Sequence, residues 1–252
     1  FPSRMFRLSS IFVTADSPLR SVADLAGKKV GVPEWAQTAA IYTRGYLVHQ
    51  AGIRLDKITW VQAGVSTPGR KEKVALNLPD GVSLTPVADK SLEEMLLSGE
   101  IDAIMSAHPP EIFENGGPEI IRLVGDYQAM EQAYFQETGI FPIMHTMAVK
   151  TDVSNAHPWM LGNLLKAFNA AKNNSVARAH EMTASRFPIP WAPYFAEQSA
   201  AMFGDDYWPY GIDDNRVTLD AFLQYSFEQG VCQRRLQVED LFPKNVLSSF
   251  KV

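Results

Sequence analysis

The chain has 252 residues, of which 46% are hydrophobic and 20% charged, the proportions of a globular protein long enough to bury a sizeable core. A formal net charge of -5 with no basic run argues against nucleic acid as a partner. Cys232 is the only cysteine, which excludes an internal disulfide and a cysteine-built metal cluster, and no apolar stretch reaches the roughly 18 residues of a membrane span.

The segment "FPSRMFRLSSIFV" lacks the long apolar run and small-residue cleavage site of a signal peptide. A cytoplasmic location is the expectation, or a periplasmic one if a signal precedes residue 1. "SSIFVTA" (9–15) predicts a strand, and a helical turn at "SVADLAG" leads to a second strand, "KKVGVPE" (28–34). Residues 35–51 suit a helix that stops at Gly52. "ITWVQAG" (58–64) returns as a strand. "SLEEMLLSGE" (91–100) opens with Ser91 and carries Glu94 three residues later, the spacing of a capping box. Strands follow at "IDAIMSA" (101–107) and "EIIRLV" (119–124), and 141–149 reads as a buried strand containing His145. Helices are expected at 156–173, 175–187, 192–203 and 216–229, broken by Pro188, Pro190, Pro193 and Pro209. Strand–helix alternation over 9–125 predicts a mostly parallel α/β sheet.

Such sheets bind ligands beyond the carboxyl ends of their strands. Three segments place polar groups there. In "VGVPEWAQTAA", Glu34, Gln37 and Thr38 stand where a strand gives way to a helix, whose first N–H groups favour an anion; ordinary capping explains them equally. "TPGRKEK" (67–73) aims Arg70 or Lys71 into the same crevice, or is a solvated charge run. In "SAHPPE", His108 follows a strand directly. His145, among apolar neighbours, is either a satisfied core histidine or a proton donor facing a cleft. No metal-binding histidine spacing, dinucleotide fingerprint, P-loop or nucleophile elbow occurs. Neither a metal nor another cofactor is expected.

"SPLRSVADLAGKKVGVPEWAQTAAIYTRGYLVHQAGI" with "SLEEMLLSGEIDAIMSAHPP" downstream resembles the second lobe of a type II periplasmic-binding-protein-like (NMT1/THI5-like) fold. The narrower set "FPSRMFR", "GVPEWAQTAA", "PGRKEK" and "TGIFPIMH" is similar to the 4,5-dihydroxyphthalate decarboxylase family. The resemblance implies two α/β lobes joined by crossing strands at 9–15 and 141–149. Lobe 2 would occupy residues 20–130, and lobe 1 would be built from 1–19 and 131–252. Family chains continue upstream of "FPSR" with the elements that begin lobe 1. An upstream segment or a partner subunit, in a homo-oligomer, is therefore expected to cover that lobe.

The resemblance also implies a chemistry. A para-hydroxylated aromatic acid loses carbon dioxide without a cofactor once the ring carbon bearing the carboxylate is protonated. His145 would be the donor. Glu34 or His108 would be the base near the phenol, and Arg4, Arg7 and Arg70 would hold carboxylates, aided by Gln37 and Thr38. The alternative is a solute-binding protein that delivers an aromatic or other small organic anion to an ABC transporter. That role needs the clamps but no proton donor.

Overall fold

A computed structural model describes residues 1–246. The strands are β1 (Ser3–Arg4), β2 (Ile11–Thr14), β3 (Lys29–Val32), β4 (Thr59–Gln62), β5 (Leu84–Pro86), β6 (Ala103–Met105), β7 (Ile120–Arg122) and β8 (Ile143–His145). The helices are α1 (Thr38–His49), α2 (Leu92–Leu97), α3 (Glu111–Glu114), α4 (Tyr127–Thr138), α5 (Thr151–Ala156), α6 (Trp159–Ala179), α7 (Ala192–Phe203), α8 (Arg216–Glu228) and α9 (Val238–Leu241). The chain divides into two units. One comprises Ser3–Met144 and Val217–Gln237; the other comprises Phe1–Pro2, His145–Arg216 and the chain from Val238 onward.

The first unit is built on an open six-stranded sheet of order β5-β4-β3-β6-β2-β7. Strands β5, β4, β3 and β6 run parallel, while β2 is antiparallel to β6 and β7. The strands predicted at 28–34, 58–64 and 101–107 are neighbours in this sheet. Successive side chains in a strand point to opposite faces, and both faces here are buried. Ile11, Val13, Val30, Val32, Trp60, Ala103 and Met105 enter one apolar cluster. Phe12, Val61 and Ile104, the residues between them, enter a second cluster with Leu92, Met95 and Leu96 of α2. Double burial explains why these strands read as continuous apolar runs rather than alternating ones. Each Val, Leu, Ile, Phe or Met side chain so buried contributes about 1.5–3 kcal/mol. On the second face β3 presents Gly31, where a Cβ would stand 2.5 Å from Leu92 Cδ2, so α2 lies close against the strand.

The helix expected from Trp35 begins at Thr38. The Trp35 N–H and C=O are held by side chains from elsewhere, Glu72 and Arg44, instead of by a helical turn. At the other end Gly52 takes a left-handed φ of 67° and stops the chain as expected. The capping box of α2 forms in full: Ser91 Oγ accepts from Glu94 N at 3.2 Å, and Glu94 Oε2 accepts from Ser91 N at 2.7 Å. Strand β5 and helix α4 were not anticipated. Helix α4 is capped by Asp126, whose side chain accepts from Ala129 N, and by Gly139 at φ 69°. The anticipated strand 141–149 shrinks to Ile143–His145, because Pro142 delays its start and the residues after His145 lie outside any ladder.

In the second unit the helices expected at 156–173 and 175–187 are replaced by one, α6, of 21 residues; Asn174 and Ser175 do not interrupt it, and 180–187 is not helical. Helix α7 matches the expectation over 192–203. Helices α6 and α7 border an apolar groove of about 900 Å³, lined by Phe168, Phe187, Phe195, Tyr207 and Trp208 among others. On its wall the buried Lys172 ammonium donates to both Asp206 oxygens at 2.5 and 2.6 Å.

Candidate functional site

Because β3, β4 and β6 are adjacent and parallel, their carboxyl ends lie along one edge of the sheet. Glu34 follows β3, the loop carrying Arg70 follows β4, and Ser106 and His108 follow β6. At this edge charged side chains meet. Glu34 is buried to 7% exposure, and its Oε1 accepts from both Nε and Nη2 of Arg70 at 2.5 Å, with Lys73 Nζ at 3.3 Å. Such a forked arginine contact is stronger than a neutral hydrogen bond and fixes orientation. The cations remain exposed, at 45% for the Arg70 side chain and 70% for that of Lys73.

The path of the β4–β5 loop explains the meeting. A Cβ at Gly64 would lie 1.8 Å from the Thr67 carbonyl oxygen, so only glycine lets the chain fold back there. That turn brings Arg70 to Glu34. Two residues further on, Glu72 Oε2 accepts from Trp35 N at 2.6 Å, Ala36 N at 3.4 Å and Gln62 Nε2 at 3.4 Å.

Beneath this surface Arg44 of α1 is wholly buried. It donates through Nη2 to Trp35 O at 2.5 Å and through Nε to Gln229 Oε1 at 2.8 Å, and its guanidinium lies 3.8 Å from the Trp35 ring centroid. Trp35 Nε1 in turn donates to Gln229 O at 2.8 Å. Burial pushes the Arg44 pKa down to about 9, and the nearby Glu72 carboxylate works against that shift.

The other expected site residues are dispersed. Gln37 precedes α1 and gives it no side-chain cap, its Oε1 buried without a partner among the described residues; Thr38 is the first helical residue. Arg4 is buried, donating through Nη1 to Phe141 O at 3.2 Å and lying 5.3 Å from the Phe141 ring centroid. Arg7 Nε contacts Met144 Sδ at 3.2 Å; burial lowers its pKa, opposed by Glu131. His108 is exposed. His145 ends β8 as the first residue of the second unit, and it is exposed, which removes the core alternative; Met147 is 59% exposed.

Sequence reasoning missed four residues of this unit. Glu72 and Lys73 were hidden in what reads as a charge run. Arg44 lies on a helix with no mark of burial. Ser106, 3% exposed, follows β6 and has a hydroxyl with no partner among the described residues; its place one residue past a strand is the signal that could have found it. No group of three or more His, Cys, Asp or Glu side chains among the described residues is placed to hold a metal ion. No helix among them is long and apolar enough to cross a membrane.

The first unit is thus an open α/β sheet with charged groups at its carboxyl edge, and a family model described as NMT1/THI5 like matches residues 6–73. A periplasmic aliphatic sulphonate binding protein of Escherichia coli aligns with a TM-score of 0.47 and 14% identity, over 96% of this chain and 72% of that one. The 4,5-dihydroxyphthalate decarboxylase of Comamonas testosteroni is 36% identical over 253 residues, the whole of this chain and 77% of the relative. That of Pseudomonas putida is 37% identical over 137 residues, 54% of this chain and 53% of the relative. The chain belongs to the 4,5-dihydroxyphthalate decarboxylase family.

Proposed function

We propose that this protein is a carboxy-lyase that converts 4,5-dihydroxyphthalate to protocatechuate without a cofactor. Family membership carries the reading, and the Glu34–Arg70–Lys73 cluster at the sheet's carboxyl edge supports it. A proton adds to the ring carbon that bears the departing carboxylate, and the para hydroxyl stabilises the resulting cation-like ring. The bond to the carboxylate carbon then breaks, its electron pair restores aromaticity, and carbon dioxide leaves.

In this reading His145 delivers the proton, and Glu34 or His108 accepts the phenol's hydrogen bond. Arg70, with Arg4, Arg7, Gln37 and Thr38 as further contacts, holds the carboxylate that stays. Holding the departing carboxylate equally tightly would stabilise the ground state and add nothing to the rate. The same reading includes two lobes, residues 20–130 and the remainder, and a cytoplasmic homo-oligomer. Incubation with 4,5-dihydroxyphthalate tests the function: release of carbon dioxide with one equivalent of protocatechuate is expected. Binding of the diacid without release of carbon dioxide would instead identify a solute-binding protein.

A further inference from the structure

The β4–β5 loop is fastened to the end of β3 by two carboxylates that reach in opposite directions. Glu34, on the strand end, takes Arg70 and Lys73 of the loop. Glu72, on the loop, takes the Trp35 and Ala36 N–H groups of the strand end and the Gln62 amide of β4. We propose that Glu72 is a positioning residue whose carboxylate latches this loop, so that Arg70 and Lys73 stand preorganised for a substrate carboxylate.

Three observations carry the assignment. Residues 67–71 are exposed apart from these contacts, so burial does little to hold them. The N–H groups that Glu72 takes belong to the turn before α1, where backbone donors have no helical partner and favour a negative charge. Behind that turn stands the wholly buried Arg44 guanidinium, whose charged form the Glu72 carboxylate favours and whose Nη2 is bonded to the carbonyl of the same Trp35. Trp35 is therefore gripped from both sides, its N–H by the loop and its C=O by the core. The residue just before it is Glu34, so the same grip sets the backbone from which that carboxylate projects.

The test uses two variants and two readouts, only one of which rests on the decarboxylase reading. Glu72→Ala removes both acceptor and charge. Glu72→Gln keeps an acceptor oxygen for Trp35 N–H but removes the charge facing Arg44, and it carries the test if the alanine variant does not fold. Trypsin cuts after Arg70, Lys71 and Lys73, so cleavage in this loop reports the latch without any substrate. Cleavage about tenfold faster in Glu72→Ala, and less accelerated in Glu72→Gln, is expected from loss of a charge-assisted bond. With 4,5-dihydroxyphthalate, KM should rise about tenfold while kcat stays within about threefold, because prepositioned binding is lost and chemistry is not.

Loop cleavage at the wild-type rate in folded Glu72→Gln and Glu72→Ala would overturn the latch. A fall in kcat at unchanged KM would overturn it too, since Glu72 would then act in the chemical step. Wild-type protein that releases no carbon dioxide would remove the functional reading alone, and trypsin cleavage would still decide the latch.

Discussion

Replacing Gly64 by Ala asks whether the β4–β5 loop owes its path to one absent methyl group. A Cβ at this position would stand 1.8 Å from the Thr67 carbonyl oxygen, 3.0 Å from its carbon and 3.6 Å from Arg70 Cβ. Carbon and oxygen settle at about 3.3 Å or more, so the carbonyl would have to retreat by roughly 1.5 Å. The obstacle is backbone, and no rotamer change relieves it. The loop must open, and Arg70 must leave Glu34. Overpacking of this kind costs about 1–3 kcal/mol, which lowers Tm by about 2–4 °C per kcal/mol for a chain of this size. KM for 4,5-dihydroxyphthalate should rise with it.

Two glycines calibrate the result. A Cβ at Gly69 meets nothing within 4 Å but sits at φ 92°, so Gly69→Ala should cost about 1–2 kcal/mol through backbone conformation alone. Gly125 has neither obstacle, and Gly125→Ala should be nearly neutral. Thermal melts and steady-state kinetics on the three variants make the comparison. Gly64→Ala with the melting temperature and KM of Gly125→Ala would refute the argument that the turn requires glycine.

His145→Asn should lower turnover by about 10²–10⁴-fold, the range for a lost general acid, whereas Arg70→Ala should raise KM more than it lowers kcat; normal turnover without His145 would move the donor to Glu34 or His108. Burial raises the Glu131 pKa even though its carboxylate accepts from Leu8 N and Ser9 N at 2.8 and 3.3 Å. A carboxyl that holds its proton more tightly when folded loses stability as pH rises from the unfolded value, about 4.5, through the folded one. Chemical denaturation across that range should show wild type falling relative to Glu131→Gln, and parallel profiles would refute the assignment. Ser91→Ala should cost about 1 kcal/mol through the lost cap of α2, readable in urea melts.

The sheet was legible because its strands are buried on both faces. Val30, Val32, Trp60, Ile104 and Met105 form apolar runs that no helix period imitates. The capping box at Ser91 was legible because it is local, two side chains within four residues. Helix α4 was not, since polar and apolar residues are evenly mixed along it and its clearest marks lie in Asp126 and Gly139. The site divides in the same way. Glu34 and Arg70, which meet in the structure, could be found from their places after strands. Glu72 and Arg44 could not, because their roles come from partners 37 and 185 positions away, and a charged residue carries no sign of what it will meet. Of the two readings open for His145, its exposure removes the core one; of its apolar neighbours Ile143 is buried and Met147 is 59% exposed.

The Arg44–Gln229 contact sets how this protein can be dissected. A fragment ending at Met144 would contain the whole six-stranded sheet and look like a natural cut. It would also deprive the Arg44 and Trp35 side chains of Gln229 and leave the surface over Gly45, where a Cβ would come within 2.3 Å of the Tyr225 ring, open to water. Residues 217–237 thus serve as a wall of a unit whose sheet ended its own sequence about a hundred residues earlier. A minimal version should rejoin the two pieces with a short linker in place of residues 145–216 rather than truncate.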